Sequence, residues 1–289
     1  MPPAALALVF VAAALHAAWN LLAKRGEGHP VFFWLALAIA SVLYLPAFVV
    51  GVILEPIPTG GWGWIAATGV LHAAYFWSLA NAYARADLSV TYPLARGLGP
   101  TLVLVVSVWL VGESVSGIGL AGVLTVIAGI YVLNLRSLHL RSMLDPLRML
   151  LRPGGRYAAF TGVLIASYTL VDKQGVAVVN PLTYVYLMWL IAAGILTPVV
   201  LAQYGARPWR RVSVSWRDVT LVAILCVAAY LLVLIALTMA PAPYVSAARE
   251  VSILIGAALG MTLLREPRTA PRFVGAGAIA LGAGLVALA

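Results

Sequence analysis

The chain has few of the residues from which catalytic and metal sites are usually built. Its single cysteine, Cys226, lies inside an apolar run, which excludes an intrachain disulfide and a thiolate metal cluster. The four histidines are scattered singly, and P-loop, HExxH and GxSxG motifs are missing. We therefore expect no enzyme of these classes, no metal site and no cofactor.

Charged residues are also scarce. They make up only 9% of the 289 residues, whereas soluble domains carry about 25%. Hydrophobic residues reach 63%, and the mean hydropathy is +1.03. A water-soluble fold of this length could not bury so much apolar surface, so the sequence predicts an integral membrane protein.

The chain is nevertheless strongly basic, with a formal net charge of +9 and a pI of about 10.0. Such a balance can indicate nucleic-acid binding. In a membrane protein it more often reflects lysine and arginine in cytoplasmic loops. We therefore expect the lipid bilayer, and not nucleic acid, as the partner of this charge.

Ten apolar runs are long enough, or nearly so, to cross about 30 Å of hydrocarbon as helices. The sixth is interrupted by Asp172 and Lys173. The predicted fold class is an all-α integral membrane protein with ten transmembrane helices, over the runs Ala4–Ala23, Val31–Leu54, Trp62–Ala84, Leu88–Val111, Ile118–Leu135, Tyr157–Val179, Leu182–Gln203, Val219–Met239, Tyr244–Leu264 and Phe273–Ala289.

The longest connection divides these runs five and five. It covers residues 136–156 and holds five arginines, which predicts a basic cytoplasmic linker. Residues 1–135 and 157–289 then form two five-helix units.

The two units repeat their unusual residues at one offset of 153 positions. An arginine in mid-run, a carboxylate at the end of a run and two helix glycines all recur at this offset. The pairs are Arg96 with Arg249, Glu113 with Glu266, Gly122 with Gly275, and Gly129 with Gly282. This recurrence indicates two related repeats.

An odd number of helices in each repeat turns the second repeat upside down in the membrane. The charges agree with this inversion. Loops after the odd-numbered runs hold fifteen lysines and arginines, whereas those after the even-numbered runs hold only Lys173. The positive-inside rule then predicts cytoplasmic odd-numbered loops and both termini outside, as in transporters with inverted-topology repeats.

This plan resembles the drug/metabolite transporter superfamily, in a form with two EamA-type domains. The resemblance rests on the five-plus-five plan, Gly112-Glu113, the echo Arg265-Glu266-Pro267, and a glycine-spaced helix after each. The segment from His16 to Asn20 also resembles a subset of these proteins, some of them encoded with phosphonate-use genes. The resemblance implies alternating-access transport of small metabolites, often efflux, across the inner membrane. Some members are thought to keep both termini in the cytoplasm; the charges here predict the opposite.

Arg96, Arg249 and Glu250 lie well within the runs, where each costs about 2.5–3.5 kcal/mol on insertion scales. If the repeats pack about a two-fold axis, both arginines face one central cavity. Guanidinium groups there would favour a carboxylate, phosphate or phosphonate. Glu250 could neutralise an arginine, bind a substrate amine or take up a proton. The alternative is a structural pair of Glu250 with Arg96 or Arg249.

Aromatic and polar residues at helical spacing form further candidates. Those in the first run share one face, and those in the third share another, so both faces could line the cavity. Trp19 could instead belong to an interfacial aromatic belt, and His16 could bond a neighbouring helix. The candidate substrate-binding residues besides the three charged ones are His16, Trp19, Asn20, His72, Tyr75, Tyr83, Tyr168 and Tyr230.

The leading hypothesis is a secondary transporter for a small polar metabolite that is anionic or zwitterionic. One alternative is an intramembrane lipid-modifying enzyme with His16 or His72 as base. Another is a scaffold or a flippase-like subunit that handles lipid. Glycines in the fifth and tenth runs predict close helix packing within the chain or across a homodimer. The solute, the direction of transport and the driving force stay open.

Overall fold

The computed structural model is built of helices, which include 86% of the residues. No strand occurs in the part of the chain that the structure describes. That part comprises residues 1–25, 29–85, 88–135, 153–210, 214–263 and 269–289, with positions 137, 139, 143, 144 and 148. The arginines of the predicted linker lie mostly outside it, as do Arg265, Glu266 and Arg268.

Twelve α-helices are defined within the described residues. They are α1 (Pro3–Arg25), α2 (Pro30–Leu43), α3 (Leu45–Leu54), α4 (Gly61–Arg85), α5 (Leu88–Val106), α6 (Gly117–Leu133), α7 (Pro153–Gly175), α8 (Pro181–Tyr204), α9 (Trp216–Met239), α10 (Ala242–Arg249), α11 (Val251–Leu263) and α12 (Ala270–Leu288).

Each predicted run overlaps one helix or two consecutive helices. The second run is bent by 51° between α2 and α3, where Pro46 lies in the first turn of α3 and cannot donate a backbone hydrogen bond. The ninth run is divided at Glu250 into α10 and α11. At the end of the fourth run α5 widens into a π-helix, Ser107–Val111, which Gly112 ends at a φ of 75°.

Four helices of the described chain are long and apolar enough to cross a membrane: α1, α8, α9 and α12. The bent pair α2–α3 makes a fifth if it counts as one span. These helices agree with an integral membrane protein, whereas the number of ten crossings stays a prediction.

The packing of the helices is symmetric under exchange of the two repeats. The exchange relates α1 to α7, α4 to α9, and α5 to the pair α10–α11. It therefore converts the observed contact of α1 with α9 into the equally observed contact of α7 with α4. In the same way it converts the α5–α7 contact into those of α1 with α10 and α11, and the α4–α8 contact into that of α9 with α2.

Helices α6 and α12 are related to each other by the repeat and pack closely. A Cβ atom on Gly122 would lie 2.8 Å from the carbonyl oxygen of Gly282, and one on Gly275 would lie 2.6 Å from that of Gly129. Gly122 contacts Gly282, the repeat counterpart of Gly129, and Gly129 contacts Gly275, the counterpart of Gly122. The order is reversed, so the helices run antiparallel. These glycines pack inside one chain, which removes the reason to infer a homodimer from them.

Loops that follow even-numbered runs come together at one end of the bundle. Asn180 donates a 2.9 Å hydrogen bond to Glu55, and Lys173 donates one of 2.9 Å to the carbonyl oxygen of Ala240. At this end Lys173 also lies 3.6 Å from Glu113. Four of these residues, Asn180, Glu55, Ala240 and Glu113, follow even-numbered runs, and Lys173 lies in the last part of the sixth run, as alternating helix directions require.

Candidate functional site

The break in the ninth run places two charges at the centre of the bundle. Arg249 is the last residue of α10, and Glu250 lies between α10 and the first residue of α11. A cation is favourable at a helix C-terminus and an anion at a helix N-terminus. The opposed helix ends therefore stabilise both charges, which are 6% and 3% exposed.

Arg96 of α5 binds the second of these charges. Its Nε donates a 2.9 Å hydrogen bond to Glu250 Oε2, and one terminal nitrogen donates a 2.7 Å bond to Ser252. The other terminal nitrogen lies 3.1 Å from His16 Nε2. Arginine has no acceptor, so the His16 nitrogen must accept this bond. These bonds connect α1 and α5 of the first repeat to Glu250 and α11 of the second repeat.

A small cavity lies beside this cluster. Its volume is about 30 Å³, which is room for no more than a few water molecules. A metabolite would fit only after the helices move apart. The lining is aromatic and apolar with one guanidinium group, and it consists of Ala12, His16, Trp19, His72, Tyr75, Phe76, Tyr168, Trp189, Cys226, Ala229, Tyr230, Val233 and Arg249.

Arg249 brings positive charge to the cavity. Its guanidinium carbon lies 5.9 Å from the ring centre of Tyr230, and the group interacts electrostatically with Tyr168. Within the described residues, no carboxylate oxygen comes within 4.0 Å of its nitrogens. Arg249 therefore differs from its repeat counterpart Arg96, which is held by Glu250.

Two tryptophans of the lining carry buried indole N–H groups. Trp19 and Trp189 are 3% and 4% exposed, and Nε1 of each has no hydrogen-bond partner in the described part of the chain. A buried donor without an acceptor costs about 1–3 kcal/mol. Both tryptophans line the same cavity.

A second buried carboxylate lies behind the cavity wall. Asp172 of α7 is fully buried and accepts hydrogen bonds from the hydroxyls of Tyr184, at 2.9 Å, and Tyr230. Tyr230 itself lines the cavity, as does Tyr168, one helical turn before Asp172. A phenol thus connects this carboxylate to the cavity.

A family model for the EamA-like transporter family matches the chain twice, over residues 3–135 and 153–288. The two matches cover most of the chain and divide it where the repeat does. The chain belongs to the EamA-like transporter family. It is therefore an integral membrane protein of the drug/metabolite transporter type, and members of this family are transporters and not enzymes.

No curated protein sequence matches this EamA-like protein. Among solved structures, 29 chains match, including a crystal structure of a protein that is 19% identical in sequence. That match covers 98% of this chain and 97% of the other, with a TM-score of 0.70. At this identity the likeness describes the fold alone.

The structure of this EamA-like protein brings most of the predicted site residues to one place. Arg96 bonds both Glu250 and the cavity-lining residue His16, so this ion pair lies next to the cavity. The Asn20 amide donates to the backbone oxygen of His16, one helical turn earlier. The side chain of Tyr83 lies outside the described residues. The predicted residues that line the cavity are His16, Trp19, His72, Tyr75, Tyr168, Tyr230 and Arg249.

Other residues at the centre were not among the predicted ones. Trp189 and Cys226 line the cavity but belong to apolar runs. In such runs apolar and aromatic residues occur on every face, so the sequence does not show which face lines the cavity. In the sequence Asp172 is marked only as an interruption of a run, although its position one turn after Tyr168 indicates the same helix face. Among the described residues, no cluster of three or more metal-ligating side chains occurs.

Proposed function

We propose that this EamA-like protein is a secondary transporter that moves a small polar metabolite, anionic or zwitterionic, by alternating access. The observation that carries the proposal is the position of Arg249, a buried guanidinium that lines a central aromatic cavity. Arginine presents planar, paired donors to carboxylate and phosphate groups. A carboxylate, phosphate or phosphonate is the chemical group that suits this position.

The indole donors of Trp19 and Trp189 support the same solute class. They lack protein acceptors within the described chain, and an anionic oxygen would supply one. Glu250 leaves room for a zwitterion as well, since a solute amine could approach the carboxylate while the acid group contacts Arg249. His16, His72 and Tyr75 would form the wall around the solute.

The symmetry of the helix packing supports alternating access. When the two repeats exchange their conformations, the bundle changes between two arrangements that are related by the two-fold axis. Each arrangement opens the cavity to one side of the membrane. The cavity of about 30 Å³ agrees with a conformation that is closed between these two arrangements. By the positive-inside rule we place the basic, odd-numbered loops in the cytoplasm and both termini outside, in the plasma membrane of the cell.

A ligand-stabilisation screen tests the proposal. Anionic and zwitterionic metabolites are added to the purified protein, because a compound that binds only the folded state raises its melting temperature. We expect a positive compound to stabilise the wild type and the exposed control Arg217→Ala, but not Arg249→Ala. Uptake or efflux of that compound in proteoliposomes should then be lost in Arg96→Ala and Arg249→Ala. Unchanged transport by both variants would contradict the assignment.

A further inference from the structure

The central charges of the described chain balance in number. Its buried arginine side chains are Arg96 and Arg249, and its buried carboxyl groups are those of Asp172 and Glu250. With both carboxylates ionised the centre is neutral. A buried net charge is costly inside a membrane, so the entry of a solute anion beside Arg249 favours the uptake of one positive charge.

The two carboxylates differ in what holds their charge. Glu250 contacts the Arg96 guanidinium directly at 2.9 Å, and protonating Glu250 would remove the carboxylate charge that balances this buried cation. Asp172 accepts from two neutral phenols, Tyr184 and Tyr230, and no Lys or Arg nitrogen of the described residues lies within 4.0 Å of it. Asp172 is therefore the carboxylate that can lose its charge at least cost.

The elements packed around Asp172 present mostly neutral groups. Beyond Tyr184 of α8 and Tyr230 of α9, Thr68 of α4 interacts with the carboxylate and lies 3.0 Å from His72 Nδ1. The charged groups that act on this region are the cations Arg249 of α10 and Arg96 of α5, the latter through Tyr168. Lys173 follows in α7 itself and donates to the backbone oxygens of Leu237 and Ala240.

We propose that Asp172 is the proton-coupling group of this protein: it takes up one proton when an anionic solute binds beside Arg249. The proton comes from the aqueous side to which the cavity is open and bonds to one carboxylate oxygen. The tyrosine hydroxyl that donated to this oxygen rotates and accepts. A monovalent anion and one proton then leave the charge of the centre unchanged, so the two cross together without net charge. This deepens the function proposed above and rests on it.

The solute and Asp172 are linked through Tyr230. The Arg249 guanidinium carbon lies 5.9 Å from the ring centre of Tyr230, this tyrosine lines the cavity, and its hydroxyl donates to Asp172. An anion that draws Arg249 toward itself removes part of the positive field at Tyr230 and Asp172. This link explains how occupancy of the cavity reaches a carboxylate that is itself fully buried.

Infrared difference spectroscopy of the purified protein in nanodiscs tests the proposal. The probes are inorganic phosphate and methylphosphonate, added at a pH at which each is a monoanion. Neither probe has a carbonyl group, so any new protonated-carboxyl band belongs to the protein. We expect such a band in the wild type and in Asp218→Asn, a matched control in the first turn of α9, and its loss in Asp172→Asn. Asparagine keeps the size and one acceptor oxygen, and size-exclusion chromatography checks that the variant is folded.

Two results would overturn the assignment. One is a probe-induced band that persists in Asp172→Asn, because another carboxyl group would then take the proton. The other is a probe that raises the melting temperature without any carboxyl band. If neither probe binds, phosphate and phosphonate are excluded as the anionic group of the solute, and a pH titration without probe decides on Asp172 alone. A titrating band lost in Asp172→Asn supports proton binding there, and its persistence excludes it.

Discussion

Arg96 and Glu250 form a buried ion pair between the two repeats, with Nε and Oε2 2.9 Å apart. The repeat relates Arg96 to Arg249, but the residue related to Glu250 is Gly97, so the pair has no symmetric counterpart. One arginine is thereby fixed by a carboxylate, and the other is directed to the cavity. A symmetric fold has in this way produced an asymmetric site.

The ion pair predicts a strong coupling between its two partners. Arg96→Met or Glu250→Met alone leaves one buried charge without its partner, and each should lower the free energy of unfolding by about 3–5 kcal/mol. The double variant removes both charges and should recover more than half of that loss. Thermal unfolding in detergent, treated as a double-mutant cycle, measures the coupling. Additive effects of the two substitutions would show that the pair does not stabilise the fold.

The contact of α6 with α12 predicts intolerance of side chains at its glycines. Gly122→Val would place atoms within 2.8 Å of the Gly282 carbonyl oxygen and should cost about 1–3 kcal/mol, seen as a lower melting temperature. Gly284→Ala is the control, because a Cβ there meets no atom within 4 Å. In a helix this change should stabilise by about 0.5–1 kcal/mol. Equal melting temperatures for both variants would argue against the packing.

The unpartnered indoles predict a separation of stability from binding. Trp19→Phe and Trp189→Phe remove a buried donor that bonds no acceptor in the described chain, so the melting temperature should stay unchanged or rise. Affinity for the compound found in the stabilisation screen should fall by about tenfold or more, since a hydrogen bond to a charged group contributes about 1.5–3 kcal/mol. Trp109→Phe, at a side chain that is 82% exposed, is the control. Unchanged affinity in both variants would remove the indoles from the solute site.

Lys173 predicts how the cavity opens toward the even-numbered loops. Its amino group donates to Leu237 and Ala240 at the end of α9 and lies 3.6 Å from Glu113. Lys173→Met should release this end and expose the cavity more often. Cys226, the only cysteine and part of the cavity wall, reports the exposure: a maleimide should label it several-fold faster than in the wild type.

Arg217→Met, at an exposed site, is the matched control for this labelling, and Cys226→Ser gives the background. An unchanged rate in Lys173→Met would show that the lysine does not hold that end closed.

The sequence allowed much of the fold and part of the centre to be predicted, for identifiable physical reasons. Arg96, Arg249 and Glu250 were recognisable because ionised groups are costly in apolar helices. Which arginine pairs with Glu250 could not be predicted, since the offset of 153 makes Arg96 and Arg249 equivalent positions of the two repeats and favours neither as the partner. That choice depends on the break at Glu250, which directs the carboxylate toward α5.

The apolar residues at the centre of the bundle were harder to predict from the sequence. The division of the ninth run at Glu250 was not predicted, because no proline or glycine stands next to Glu250 and the nearest prolines, at 241 and 243, precede the run. Trp189 cannot be assigned to the centre from the sequence, because its helix, α8, is apolar all round and has no distinct polar face to orient it.

At the paired glycines of α6 and α12, a carbonyl oxygen of each helix lies 2.6–2.9 Å from the position that a Cβ atom on the other would take, so the two backbones approach closely along one line. Sliding along this line would drive oxygens into amide groups, whereas a small rotation about it would not. In a transport cycle the contact would therefore serve as a fixed axis, and helix displacements would grow with distance from it. A covalent cross-link between α6 and α12 should consequently leave turnover intact, which few other inter-repeat cross-links would do.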